Sequence, residues 1–218
     1  MKVGTDGVLL GAWTNIGEAE KILDVGTGTG LIAIMMAQRS SAEIHAIESE
    51  INAYQQAREN IRNCPWSERI YIQHTFFQKY VCTIERPFDL IVSNPPYFIN
   101  SLSPSTEDRY QARHNKSLSQ EDLIRGSIDN LKTDGRLSVI LPCRESYSFI
   151  DLAGQNGLYC NRKTYVKPRP YKKPKRMLLE FSFQQAEPRE AYLIIEKDDR
   201  HHFTNEYRTL TRDFYLKF

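Results

Sequence analysis

Three short runs in this sequence hold residue types that can do chemistry. The first is Asp24-Val25-Gly26-Thr27-Gly28-Thr29-Gly30. Glycines on a two-residue spacing permit a tight turn and bring backbone close to a ligand. A helix starting near Leu31 offers free N–H groups at the same place. The spacing is GxGxG, not the GxGxxG of dinucleotide sites, and an acid stands two residues ahead of the first glycine. The second is Glu48, 18 residues beyond Gly30. A carboxylate at a strand end can accept from both hydroxyls of a ribose. The third is Asn94-Pro95-Pro96-Tyr97. Two successive prolines stiffen the backbone and remove two donors. The Asn94 side-chain oxygen and the Pro95 carbonyl can then both accept from one planar amino group. Tyr97 offers a flat face on which a base or an amide can stack.

Such runs work only if strands deliver them to a common place. Short apolar runs alternate with helical stretches, the pattern of a parallel α/β sheet. Strands are predicted at Lys21–Val25, Glu43–Ile47, Arg69–Gln73, Phe88–Ser93 and Arg136–Leu141. Further strands are predicted at Leu158–Val166, Met177–Gln184 and Tyr192–Glu196. Helices are predicted over Leu31–Arg39, from an Ser49 cap to about Ile61, and from an Ser119 cap to about Leu131. Asp122 stands at the third position after Ser119, a capping-box pattern. Another helix follows Leu141 to about Gln155, and Asn205–Leu216 reads as a short amphipathic helix. The polar stretch from Ser101 to Lys116 has no clean period and carries Arg109, Arg113 and His114. Loops of that length usually serve a function.

Composition narrows the class. The chain has 218 residues, 40% hydrophobic and 26% charged, which is globular and long enough for one substantial core. Its longest unbroken apolar run, Leu31 to Ala37, is seven residues, far short of the ~20 of a membrane span. No basic segment followed by an apolar run opens the chain, so no signal peptide is expected. Cys64, Cys82, Cys143 and Cys160 form no CxxC and no zinc-ligand spacing, which points to free thiols in a reducing cytoplasm and to no metal. His74, His114, His201 and His202 likewise form no motif. Net charge is +2, yet residues 162–176 hold eight of the 29 basic residues and no acid. Lys167, Arg169, Lys172, Lys173, Lys175 and Arg176, with a Pro-rich frame, fit contact with phosphates.

The Gly-rich run after a strand resembles the S-adenosylmethionine loop of Rossmann-like methyltransferases. N-P-P-Y resembles the motif of methyltransferases acting on adenine N6, cytosine N4 or a glutamine amide. The stretch from Lys2-Val3-Gly4-Thr5-Asp6-Gly7 to Trp13 narrows this further, together with Phe88–Phe98, Gln111-Ala112-Arg113-His114 and Phe214-Tyr215. These residues are similar to the bacterial tRNA1(Val) (adenine(37)-N6)-methyltransferase family. That resemblance implies a single Rossmann-like class I methyltransferase domain over residues 1–218. Its sheet would have seven strands, mostly parallel, with the last antiparallel. It implies S-adenosylmethionine as cofactor, S-adenosylhomocysteine as product, and tRNA as the partner of a cytoplasmic enzyme, with no membrane and no obligate protein partner. Asp24, Gly26, Thr27, Gly28, Gly30, Glu48 and Asn94 would hold the cofactor, and Asn94, Pro95, Pro96 and Tyr97 the target amine and base. Arg109 and Arg113, with Lys116, would close over RNA. Such enzymes commonly place an acid near the cofactor adenine, where this chain has Phe76 followed by Phe77; an aromatic there would stack on the adenine. The family usually carries a basic-aromatic segment ahead of K-V-G-T-D, so residues upstream of Met1 are expected. The alternatives are a DNA adenine or protein glutamine methyltransferase, and, from another class, a non-catalytic RNA-binding module.

Overall fold

In the computed structural model, which describes residues 4–95 and 118–216, the sheet is organised around β1 (Lys21–Val25). This strand pairs in parallel with β2 (Glu43–Glu48) on one side and with β4 (Phe88–Ser93) on the other. The strand β3 (Ile70–His74) flanks β2, and β5 (Leu131–Pro142) flanks β4, all parallel. Next to β5 comes β7 (Arg176–Ser182), then β6 (Tyr159–Lys167), then β8 (Arg189–Ile194). Only β7 runs antiparallel to its neighbours.

The expected seven-stranded sheet is therefore extended. The antiparallel strand is the seventh, as expected, but it is not the last. After β7 the chain returns to lay β8 parallel on β6, in register Lys163↔Glu190 and Tyr165↔Tyr192. A Lys163–Glu190 ion pair of 2.7 Å and stacked Tyr165 and Tyr192 rings hold that extra edge.

The central strands are buried on both faces, so their residues read as apolar runs and not as an alternation. Ile22, Ile44, Leu90 and Val92 face α1 (Thr5–Trp13) and α2 (Leu31–Arg39). The same side carries α3 (Ile51–Arg62), through Ile61, and α7 (Asn205–Thr211), through Tyr207. Leu23, Val25, Ile91 and Val139 face the opposite layer. That layer is α4 (Phe77–Tyr80), α5 (Gln120–Asn130) and α6 (Cys143–Gln155).

Several boundaries differ from the sequence reading for local reasons. The cap of α3 is Glu50, not Ser49: the Glu50 carboxylate accepts from the Asn52 and Ala53 N–H groups at 2.9 and 2.7 Å. The Ser49 N–H is already donated to Glu48. The Ser119 capping box is present as expected. The helix it opens stops at Asn130, and β5 begins at once at Leu131, with a bulge between the Phe88 and Leu90 pairings that absorbs Asp134-Gly135. The last helix gives way at Arg212 to a 3-10 turn through Phe214. Helix α1 was not anticipated: Gly7 to Ala12 are all buried, so the stretch carries no amphipathic period to read.

Candidate active site

The strand registers bring the three sequence runs together. Val25 pairs with Ile47 on one side and with Ser93 on the other. The residues that follow each, Gly26, Glu48 and Asn94, therefore leave the sheet side by side at the C-terminal ends of β1, β2 and β4. This is where the strand order reverses, the usual crevice for a ligand in an open α/β sheet. The Ser93 hydroxyl donates to the Val25 carbonyl at 2.9 Å, and the Gly26 and Thr27 N–H groups both donate to the Ile47 carbonyl at 3.0 Å.

The loop between β1 and α2 needs its glycines. Gly26, Gly28 and Gly30 have φ of 70°, 61° and 82°, left-handed values that side chains disfavour. Gly26 is exposed, with open space where a Cβ would point. Behind the loop Asp24 is fully buried. Its Oδ2 accepts from the Thr27 hydroxyl at 2.5 Å and from the Ala33 N–H at 3.0 Å, while its Oδ1 has no partner. Burial raises its pKa from 3.8 to about 7 against the lowering by those two hydrogen bonds, and the Glu48 charge adds to the rise. Thr27 is buried and spends its hydroxyl on Asp24, so it braces the loop from within.

Glu48 ties the loop to the start of α3. Its Oε2 accepts from the Gly28 N–H at 2.9 Å, and its Oε1 from Ser49 and Glu50 at 2.8 and 2.9 Å. Three backbone donors fix the carboxylate; Oε1 is filled by two of them, while Oε2 keeps one acceptor site for a further donor. Asn60 of α3 holds the loop from behind, donating to the Thr29 carbonyl at 2.9 Å. Neither Glu50 nor Asn60 was picked out from the sequence. Glutamate is not among the residue types favoured at an N-cap, so no pattern pointed to Glu50, and nothing in the sequence marks Asn60.

Phe76 and Phe77 part company. Phe76 is 42% exposed and lines the cleft with Gly26, Ile47 and Ser49. Phe77 also borders that cleft, but it is 4% exposed and its ring packs into the core against Gly126. Asn94 is half-buried and Pro95 buried at the end of β4. Pro96, Tyr97, Arg109, Arg113 and Lys116 lie outside the described residues.

The basic segment does lie on this same edge of the sheet, as the 168–175 connection of a β6–β7 hairpin. Its charges are not equally free. Arg169 is paired with Glu196 at 3.3 Å and Arg176 with Asp6 at 2.7 Å, so both arginines are engaged within the fold. Lys167 donates to the Pro170 carbonyl. Lys172, Lys173 and Lys175 are exposed and enter no ion pair among the described residues. Among those residues no cluster of His, Cys, Asp and Glu is placed to hold a metal, all four cysteines are free thiols, and no helix is long and apolar enough to cross a membrane.

A mostly parallel sheet of this order, with a Gly-rich loop after β1, an acid at the end of β2 and N-P-P after β4, defines a class I methyltransferase. A family model described as Methyltransferase small domain matches residues 4–159. The chain belongs to the tRNA1(Val) (adenine(37)-N6)-methyltransferase family. It is 46% identical to the protein of that name from Trichodesmium erythraeum, over all of this chain and 92% of the relative. It is 45% identical to that from Flavobacterium psychrophilum, over all of this chain and 93% of the relative. Among solved structures, a predicted O-methyltransferase from Agrobacterium tumefaciens superposes with a TM-score of 0.74 at 24% identity, covering 95% of this chain and 96% of that one. A glycopeptide N-methyltransferase solved with S-adenosylhomocysteine gives 0.62 at 10% identity, covering 84% and 92%; both likenesses concern the fold.

Proposed function

We propose that this chain, acting in the cytoplasm, transfers a methyl group from S-adenosylmethionine to N6 of adenine 37 in the anticodon loop of tRNA1(Val). The observation that carries the reading is the alignment of Gly26, Glu48 and Asn94 at one level of the sheet. The cofactor fits the residues present. The positive-φ glycines leave open space for a ligand at Gly26, Glu48 is pinned with Oε2 open to a ribose hydroxyl, and Phe76 exposes a ring in the cleft. The bound cofactor supplies an electrophilic methyl on a sulfonium.

The chain's own part is positioning. Adenine N6 is conjugated with its ring and is a weak nucleophile. The Asn94 side-chain oxygen and the Pro95 carbonyl accept its two hydrogens, which turns the nitrogen lone pair toward the methyl. Holding reactants in this way can supply about 7–11 kcal/mol of a barrier. The same two acceptors face positive charge as it develops on the nitrogen. A cofactor held by the Gly26 loop and Glu48 would supply the methyl and keep the sulfur's electron pair, and one N6 proton would leave the methylated nitrogen. That proton is acidic once the nitrogen is alkylated, so no dedicated base is required. Tyr97 supports the base by stacking. Lys172, Lys173 and Lys175 meet phosphates, with Arg109 and Arg113 as further RNA contacts. An unpaired loop adenine is the least costly kind of base to draw into a cleft.

Incubation with labelled S-adenosylmethionine and unmodified tRNA should place label in N6-methyladenosine. Label in another nucleoside, or in DNA or a release factor offered in parallel, overturns the reading. Asn94→Ala should cut turnover by at least about 100-fold while calorimetry shows cofactor binding retained. Loss of both together refutes the role given to Asn94.

A further inference from the structure

Apart from the Gly-loop cleft, a groove of about 560 Å³ opens farther along the same edge. We propose that this groove is a stacking platform for unpaired nucleotides flanking the target adenine, a proposal that rests on reading the chain as an RNA methyltransferase. Four tyrosines line it: Tyr147 on α6, Tyr165 on β6, Tyr171 in the hairpin and Tyr192 on β8. Tyr147, Tyr171 and Tyr192 are 55%, 61% and 67% exposed, far more than rings serving a core. Tyr165 and Tyr192 stack on each other with centroids 5.0 Å apart and planes 21° from parallel, so the pair presents a broad preformed aromatic face.

Charge selects the occupant. Lys167, Lys172 and Lys173 border the groove and no acid lines it. The one acid of the adjoining β8 edge that faces the same way, Glu190, is held by Lys163. The Lys172 ammonium sits 5.4 Å from the Tyr171 ring centre. Aromatic faces for bases, interleaved with lysines for the backbone, are how proteins hold single strands without reading sequence. An apolar protein segment would find little to bury against exposed lysines and phenol tips.

Position adds continuity. Lys167 ends β6, which runs parallel to β4, so groove and Asn94 share one edge of the sheet. They are three strand spacings apart in the order β4-β5-β7-β6, or about 14 Å at ~4.8 Å each, a reach of a few extended nucleotides. A loop that gives up its target adenine to a cleft loses stacking at the neighbouring bases. The groove replaces that stacking on the protein.

The test uses Tyr171→Ala, Tyr192→Ala and the matching phenylalanine variants, with an unmodified anticodon stem–loop and a fully paired RNA of equal length. Each alanine variant should raise KM for the stem–loop by about 5- to 150-fold, with kcat at saturating RNA within about two-fold of the parent. Phenylalanine, which keeps the ring, should restore KM, and calorimetry should give unchanged cofactor affinity. Unchanged KM in both alanine variants overturns the platform while methylation stands, and leaves a protein as the groove's occupant. An equal loss on the fully paired RNA also overturns it, since phosphates alone would then be read. If the parent neither binds nor methylates the stem–loop, the functional reading fails first.

Discussion

Asp24 is a carboxyl group with one oxygen satisfied twice and the other not at all. Its raised pKa means that the folded chain keeps a proton the unfolded chain would release, between 3.8 and about 7. Stability from this group is complete below the unfolded value and is lost as pH rises through the folded one. Asp24→Asn removes that titration. The difference in Tm between variant and parent should therefore move in the variant's favour from pH 4 to pH 7.5. A difference that is flat with pH would show that Asp24 is ionised throughout. Glu48, by contrast, has three N–H groups on its two oxygens. Both acids were legible in the sequence because each stands at a fixed offset from glycine or from a strand end. The braces Thr27, Glu50 and Asn60 work through contacts that spacing does not encode. Thr27 was expected at the cofactor and turns out to face inward.

Helix α5 shows how an element distant in sequence sets the cleft. A Cβ at Gly126 would stand 2.5 Å from Cε1 of the buried Phe77 ring. Replacing glycine by alanine inside a helix usually stabilises by about 0.5–1 kcal/mol. Overpacking a core usually costs about 1–3 kcal/mol, and here the second effect should dominate because the ring cannot swing into solvent. Gly126→Ala should therefore lower Tm, and by pushing α4 it should also weaken cofactor binding at Phe76; a rise in Tm with unchanged binding would refute this. Sequence periodicity found α3, α5 and α6 because each shows one apolar face or a clear cap, and α2 was read from its apolar run directly after the Gly-rich turn. It missed α1, which is buried on all sides, and it placed the start of β5 five residues late, because Asp134-Gly135 reads as a turn while the structure takes it up as a bulge.

At the scale of the molecule, charge is concentrated at one end of one edge. Among the described residues three lysines of the hairpin enter no ion pair, while its two arginines are tied to acids. RNA binding should weaken with salt, and removing Lys172, Lys173 or Lys175 singly should each flatten the log–log slope by about 0.7. An unchanged slope in all three would remove the hairpin from the phosphate path. The parallel α/β architecture was readable because alternating apolar runs and helices admit few other solutions. The place of β7 between β5 and β6, and the pairing of β8 on β6, were not: β8 was read as a strand, but pairing between strands distant in sequence leaves no local mark.

The first helix of the chain is held by the last third of it. Asp6 bonds Arg176 at 2.7 Å across 170 residues, and the Trp13 indole donates to Thr164 at 3.0 Å across 151. The Arg162 guanidinium lies 3.6 Å from the Trp13 ring centre and bonds Glu180 at 2.9 Å. A chain emerging from the ribosome makes its first helix early and the partners of that helix late. Until residue 180 or so is free, β1 to β5 can pair while α1 waits with Trp13 uncovered. The apolar face of α1 can settle early on α2, but the Trp13 ring stays without its Arg162 and Thr164 partners until the last third is made. Closure of these contacts would be a late event of folding, followed only by the docking of β8 and α7, and an opportunity for chaperones to act.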